Sequence, residues 1–85
     1  MPYTVVISES AERTLDRLPR LVQDRLAPHI LSLEQQPRPH DCRKLSPPLD
    51  GYRLRVGDYR IVYSVDDASR TVTVVRIARR DKAYV

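Results

Sequence analysis

Several residue types are scarce in this 85-residue chain, and each scarcity excludes a class of protein. The chain has one cysteine, Cys42, so a secreted domain stapled by internal disulfides is excluded. No group of cysteines and histidines has the spacing of a zinc site, and we expect no metal and no other cofactor. No apolar run approaches the roughly 20 residues that cross a bilayer, and the amino terminus lacks a signal-peptide pattern. These absences predict a cytoplasmic protein without a membrane segment.

The residues that are present form a foldable and basic composition. Hydrophobic residues make up 41% of the chain and charged residues 31%, which is typical of a globular protein. A chain this short builds one core and not two, so we interpret residues 1–85 as a single domain. Residues 1–36 carry a net charge of −1 and residues 52–85 carry +4. We therefore expect the carboxy-terminal half to bind an anionic partner.

The apolar pattern predicts an α+β domain with the element order β-α-α-β-β-β. Residues 3–8 are β-branched and aromatic, and the i, i+4 rhythm that follows predicts two helices separated at Pro19, the second kinked at Pro28. Four prolines mark residues 37–51 as a loop. Three further strands are predicted at residues 52–56, 59–65 and 71–78. We expect a helical hairpin packed on one face of an antiparallel sheet.

Side-chain alternation along the predicted strands brings arginines together. Arg53 and Arg55 share one face, and if Gly57-Asp58 is a two-residue turn, Arg55 lies directly across from Arg60. Like charges opposite one another destabilise a sheet, whereas two adjacent guanidiniums bind a phosphate well. Two interpretations are open. The arginines form a phosphate clamp, or they extend into water or pair with Asp58, Asp66 or Asp67.

The last predicted strand has no plainly polar face. Uniform alternation puts Arg76 on the side of Val72 and Val74, and Ile77 on the opposite side. The strand is either central in the sheet, which we favour, or exposes an apolar patch to a protein partner. The basic run after it ends near Tyr84, which is either part of a solvated tail or a group that stacks on a base or transfers a proton.

The segment YRLRVGDYRIVYSVDD, followed by TVTVVRIARRDKAY, resembles the signature half of the RelE/ParE toxin superfamily. The opening PYTVVISESAERTLDRLP and the later Arg43-Lys44-Leu45 are similar as well, so the resemblance spans nearly the whole chain. It is a resemblance to the RelE-type toxins of bacterial type II toxin–antitoxin systems. It implies the fold described above and a RelB-like antitoxin, with which the toxin forms a hetero-oligomer.

RelE-type toxins cleave messenger RNA in the ribosomal A site, without a metal, by attack of a ribose 2′-hydroxyl on the adjacent phosphate. The resemblance therefore implies a ribosome-dependent endoribonuclease that binds messenger RNA and the ribosome and inhibits translation. The positions that match catalytic sites of the family are Arg53, Arg55, Arg60, Arg80 and Tyr84. The neighbouring basic residues expected to bind RNA are Arg43, Lys44, Arg79 and Lys82.

The groups that transfer protons are left open. RelE has lysines where this chain has Arg53 and Arg55, many relatives have histidine where it has Arg79, and arginine is a poor base. The remaining candidates are Tyr84, Lys44, Asp58, Asp81 and a group of the ribosome, while His29 and His40 are not expected to take part. Two other functions are also open. They are ParE-like inhibition of DNA gyrase, and a decayed toxin that retains only antitoxin binding.

Overall fold

The computed structural model describes residues 2–79, and they form two helices and five strands. In chain order these are β1 (Thr4–Ile7), α1 (Glu9–Arg17), α2 (Arg20–Ser32), β2 (Cys42–Lys44), β3 (Tyr52–Val56), β4 (Tyr59–Asp66) and β5 (Thr71–Arg79). The strands form one sheet in the order β1-β5-β4-β3-β2. Strand β1 is parallel to β5, and the other neighbours are antiparallel. Neither helix is long and apolar enough to cross a membrane.

Local sequence explains where the two helices begin. The Ser8 hydroxyl accepts a hydrogen bond from the backbone N–H of Ala11 and so caps α1. Pro19 stands at the N-cap of α2 and separates the helices, because it has no N–H to donate to the preceding turn. Pro28 lies inside α2, which continues to Ser32. The two helices therefore form the hairpin that the apolar pattern predicts.

The core lies between the helices and one face of the sheet. Ala11 of α1 and Leu26 and Ile30 of α2 belong to one core with the buried residues of the three longest strands. These strand residues are Leu54, Val56, Ile61, Tyr63, Val72, Val74 and Ile77. The α+β class and the packing of a helical hairpin on one face of a sheet are thus confirmed. Within residues 2–79, no helix covers the opposite face.

Tyr63 is the largest side chain buried in this core. It is 0% exposed, and its hydroxyl donates a 2.8 Å hydrogen bond to the carbonyl of Pro37. Burial raises the pKa of the Tyr63 hydroxyl, so it stays protonated as a donor. This bond satisfies a buried polar group and fixes the start of the proline-rich segment 37–51 against the sheet.

The sheet differs from the sequence-based prediction in two details of its strands. Residues 37–51, predicted to be entirely loop, contain β2, which pairs with β3 at one edge of the sheet. A strand of three residues between prolines is too short to leave a periodic pattern. The sheet is also mixed, since β1 runs parallel to β5. Strand β5 lies between β1 and β4, so the prediction of a central strand is confirmed.

A β-bulge in β5 changes the face on which its later residues lie. The ladder between β4 and β5 pairs Val62 with Arg76 and then skips Val75. Ile77 is therefore buried in the core, and Arg76 lies exposed on the opposite face. The prediction for these two residues was wrong, because one extra residue reverses the alternation for the rest of the strand.

A polar network closes the end of the sheet where the proline-rich segment begins. Arg38 donates two hydrogen bonds to the Asp67 carboxylate, at 2.8 and 3.2 Å, and one of 2.9 Å to the Tyr52 hydroxyl. The Tyr3 hydroxyl donates a further bond of 2.6 Å to Asp67. The bonds from Arg38 hold the pKa of the Asp67 carboxyl below its usual range. This network engages Asp67 at the end of β4 farthest from Arg60.

The two glycines of the chain should differ sharply in their tolerance of substitution. Gly51 has a φ of +124°, and a Cβ there would lie 2.6 Å from the Tyr63 carbonyl oxygen, whereas Gly57 has a φ of +59° that asparagine also adopts. We expect Gly51→Ala to lower the free energy of unfolding by about 2 kcal/mol or more, and Gly57→Asn by less than about 1 kcal/mol. Urea unfolding of both variants measures the difference. Equal losses would contradict the steric requirement at Gly51.

Candidate nucleic-acid interface

The face of the sheet opposite the helices carries five arginines, which we call the arginine face. They are Arg43, Arg53, Arg55, Arg60 and Arg76. Direct cross-strand partners project on the same side of a sheet, and the register pairs Arg43 with Arg53 and Arg55 with Arg60. Val62 pairs with both Arg53 and Arg76, so Arg76 shares this side. The predicted juxtaposition of Arg55 and Arg60 across the Gly57-Asp58 turn is confirmed.

The face therefore contains two cross-strand pairs of like charge. Each such pair disfavours folding by a few tenths of a kcal/mol up to about 1 kcal/mol. The Arg43–Arg53 pair was missed by the sequence analysis because β2 was interpreted as loop. Folding gives no reason to place two such pairs side by side, whereas an anion bound between the guanidiniums would offset their repulsion.

A depression of about 200 Å³ lies on the arginine face. The residues that line it are Asp41, Arg43, Arg53, Arg55 and Arg60. Asp41 directly precedes β2, whose first residue, Cys42, pairs with Leu54 beside Arg55. Asp41 is thus the acidic residue of a cationic depression. The sequence analysis missed it, and the signal that would have found it is the register of β2.

The arginines of the depression differ in burial. Arg60, on β4, is 9% exposed, Arg53 is half-buried, and Arg55 is exposed with its Nε 3.5 Å from the Gly57 carbonyl oxygen. A guanidinium held by surrounding atoms loses little conformational freedom when it binds a ligand. Arg60 is therefore the preorganised cation of the site, and Arg55 is the adjustable one.

The other predicted site residues lie elsewhere or outside the described residues. Lys44 pairs with Tyr52 and Arg79 with Tyr59, which places both on the helix-bearing side of the sheet. Arg79 lines a separate groove between α1 and β5, and the residues that line this groove also include Arg76. Arg80, Lys82 and Tyr84 lie outside residues 2–79. The structure thus brings together Arg43, Arg53, Arg55 and Arg60, and adds Asp41 and Arg76.

Two of the three acidic residues weighed as partners of the arginines bind other groups. Asp67 binds Arg38, and the Asp66 carboxylate accepts hydrogen bonds from the backbone N–H groups of Ala68 and Ser69. Asp58 lies exposed in the β3–β4 turn. Within the part of the chain that the structure describes, no three His, Cys, Asp or Glu side chains are grouped as a metal site requires. The chemistry available in the depression is that of guanidiniums with one carboxylate.

Comparisons with known proteins by sequence and by structure both give toxins of type II toxin–antitoxin systems. A family model described as the ParE toxin of the type II toxin–antitoxin system parDE matches residues 5–84. The chain is 34% identical to Toxin RelE of Mycobacterium tuberculosis, over 98% of this chain and 87% of that protein. Among solved structures, the RelBE2 toxin–antitoxin complex of the same organism has a TM-score of 0.84 at 30% identity, over 94% of this chain and 100% of that chain. The RelE–RelB complex of Pyrococcus horikoshii OT3 has a TM-score of 0.80 at 30% identity, over 98% of this chain and 100% of that chain.

Substitution of Arg43 should show how much the like-charge pair with Arg53 lowers the stability of the fold. Arg43→Glu turns the Arg43–Arg53 pair into one of opposite charge, and we expect it to be more stable to urea than Arg43→Gln by about 0.5 kcal/mol. Both variants lose the hydrogen bonds from Arg43 to the His40 and Cys42 carbonyls, so the comparison isolates the charge.

The matched control for RNA binding is Lys44→Glu, which changes net charge equally on the other side of the strand. We expect Arg43→Glu to weaken binding of a short single-stranded RNA, measured by fluorescence anisotropy, several-fold more than Lys44→Glu does. Equal losses would mean that net charge alone governs binding, and the arginine face would not be the interface.

Proposed function

Because this chain belongs to the RelE/ParE toxins of type II toxin–antitoxin systems, we propose that it is a metal-independent, ribosome-dependent endoribonuclease that cleaves messenger RNA and inhibits translation. The observation that carries the proposal is the pair Arg55 and Arg60, which face each other in a cationic depression. A similar relative carries the name Toxin RelE. The cluster supplies what cleavage at a phosphate requires, which is fixed positive charge where negative charge develops.

The reaction joins the ribose 2′ oxygen to the phosphorus and breaks the bond from phosphorus to the 5′ oxygen. Charge accumulates on the phosphate oxygens in the transition state, and the proposed role of Arg55 and Arg60, which are cross-strand neighbours, is to donate forked hydrogen bonds to these oxygens. The products are a 2′,3′-cyclic phosphate and a free 5′-hydroxyl. Arg80 keeps its predicted role as a further cation. Tyr84, predicted to stack on a base or to transfer a proton, is the proposed donor of a proton to the 5′ oxygen.

The 2′-hydroxyl must lose a proton as its oxygen attacks, and the Asp41 carboxylate is the proposed acceptor of that proton. The arginines are poor bases because they remain protonated. Lys44, one of the earlier candidates, projects on the helix-bearing side of the sheet. Asp41 lines the same depression as Arg55 and Arg60, and it is the one carboxylic acid among the residues that line it.

Asp41→Asn should separate proton transfer from binding. We expect single-turnover cleavage of ribosome-bound messenger RNA to slow by about 10² or more, because the acceptor is lost. Binding of RNA should stay equal or become tighter, because a negative charge beside the phosphate is removed. Asp58→Asn, in the exposed β3–β4 turn, is the matched control and should cleave at the parental rate. Faster cleavage by Asp41→Asn would instead make Asp41 a counter-charge that restrains the arginines.

A RelB-like antitoxin is the protein partner that we propose. Two of the similar solved structures are complexes of a RelE-type toxin with its antitoxin. The arginine face offers an acidic segment of such an antitoxin a complementary surface, which would cover the site and neutralise the toxin. The complex would then be a toxin–antitoxin hetero-oligomer whose affinity falls as salt concentration rises.

The second candidate function is inhibition of DNA gyrase in the manner of ParE, since the matching family model carries that name. The two functions leave different damage in a cell. Cleavage on the ribosome produces messenger RNA ends in phase with the reading frame, whereas gyrase poisoning produces DNA breaks and a damage response. A decayed toxin would produce neither and would still bind its antitoxin.

Induction of the chain in bacteria, followed by mapping of messenger RNA ends, tests these alternatives. We expect in-frame ends with the parent and their loss with Arg60→Gln, which removes the charge of the preorganised cation. Purified protein should cut naked RNA poorly, because the ribosome supplies the positioning that a chain this small lacks. DNA breaks without new RNA ends, or rapid cutting of naked RNA, would overturn the ribosome-dependent assignment.

A further inference from the structure

Arg76 belongs to the arginine face only because of the bulge at Val75. The register continues from Arg53 on β3 through Val62 on β4 to Arg76 on β5. Arg76 is exposed, while Ile77 beside it is buried. Bulges commonly redirect a side chain beside a functional site, and this one adds a cation to the face that already holds the depression.

Arg76 completes a row of side chains that crosses the sheet at right angles to the strands. From β5 to β2 the row is Arg76, Val62, Arg53 and Arg43. Neighbouring strands lie about 4.8 Å apart, so Arg76 is roughly 10 Å from Arg53 and about 14 Å from Arg43 at the backbone. Arg55 and Arg60 occupy the adjacent row, offset by two residues or about 7 Å along the strands.

The arrangement of this row suits the binding of an extended polyanion, so we call the row a track. Its three cations lie on β5, β3 and β2 and are not gathered at one point, and the member on β4, Val62, is half-buried and apolar. The acidic residue of the depression, Asp41, precedes β2 and is not a member of this row. Repeated cations at intervals suit the repeated phosphates of a nucleic-acid strand.

We propose that Arg76 binds a phosphate of the RNA strand other than the scissile one, so that the RNA crosses the sheet from β5 to β2 along this row. Arg55 and Arg60 hold the scissile phosphate in the adjacent row, and Arg76 fixes the strand on the β5 side of it. The inference rests on the proposed function for the identity of the substrate. It adds a positioning residue, and it gives the direction of the RNA relative to the sheet.

The test uses a short single-stranded RNA whose 2′-hydroxyls are methylated, so that it binds without being cleaved. We expect Arg76→Gln to weaken its binding about tenfold, the scale of one hydrogen-bonded charge. The slope of log affinity against log salt concentration should fall by about 0.7, the value for one phosphate contact to a single strand. Arg76→Lys should restore most of the slope. Arg17→Gln, which removes the same charge from α1, should leave both quantities unchanged.

A second measurement locates the contact on the RNA. One phosphate at a time is replaced by a neutral methylphosphonate, and affinity is measured for the parent and for Arg76→Gln. At one linkage beside the scissile position, the substitution should weaken the parent but not the variant, because the contact is already missing there. Thermal melting of each variant confirms that it is folded.

The inference is overturned if Arg76→Gln binds the RNA with parental affinity and salt slope, or if no methylphosphonate position distinguishes it from the parent. A variant that binds RNA normally but loses affinity for an acidic antitoxin peptide would place Arg76 in the protein interface instead. Because the probe cannot be cleaved, the result is independent of nuclease activity. If the parent binds RNA through Arg76 but never cuts ribosome-bound messenger RNA, the nuclease function is refuted, whereas the RNA-binding role of Arg76 is retained.

Discussion

The burial of one face of β3, β4 and β5 against the helices is the constraint on which the site depends. Leu54, Ile61 and Tyr63 are 2% exposed or less, and this burial fixes the register between β3 and β4. A slip of one residue would turn the apolar side chains outward, so the register has no freedom. The same register forces Arg55 against Arg60. The core therefore supplies the free energy that offsets the repulsion within the arginine face.

Local signals in the sequence were sufficient for the part of the site that lies on one hairpin. The Gly57-Asp58 turn and the alternation on its two sides predict the Arg55–Arg60 pair, because a two-residue turn determines which residues are opposite. The α+β class follows in the same way from apolar periodicity. The roles of Arg80, Lys82 and Tyr84 stay predictions that rest on the resemblance alone.

The features that the sequence did not reveal depend on contacts between distant parts of the chain. Strand β2 exists because three residues of a proline-rich segment reach β3, and nothing in their own pattern requires it. Asp41 and the Arg43–Arg53 pair follow from that contact. The bulge at Val75 turns Ile77 into the core, so alternation along the sequence does not predict the faces of β5 from Val75 onward. For this reason the sequence pattern did not predict that Arg76 lies on the arginine face.

Strand β2 has a consequence for the dynamics of the depression. It is joined to the sheet by three residue pairs, and β3 is its one neighbour among the described strands, whereas β4 is paired along both of its edges. Short edge strands open by local fluctuation at a much lower free energy than central ones. One wall of the depression, formed by Asp41 and Arg43, can thus separate while Arg60 stays fixed in the middle of the sheet. The width of the site and the stability of the fold are set by different strands, so each can change in evolution without the other.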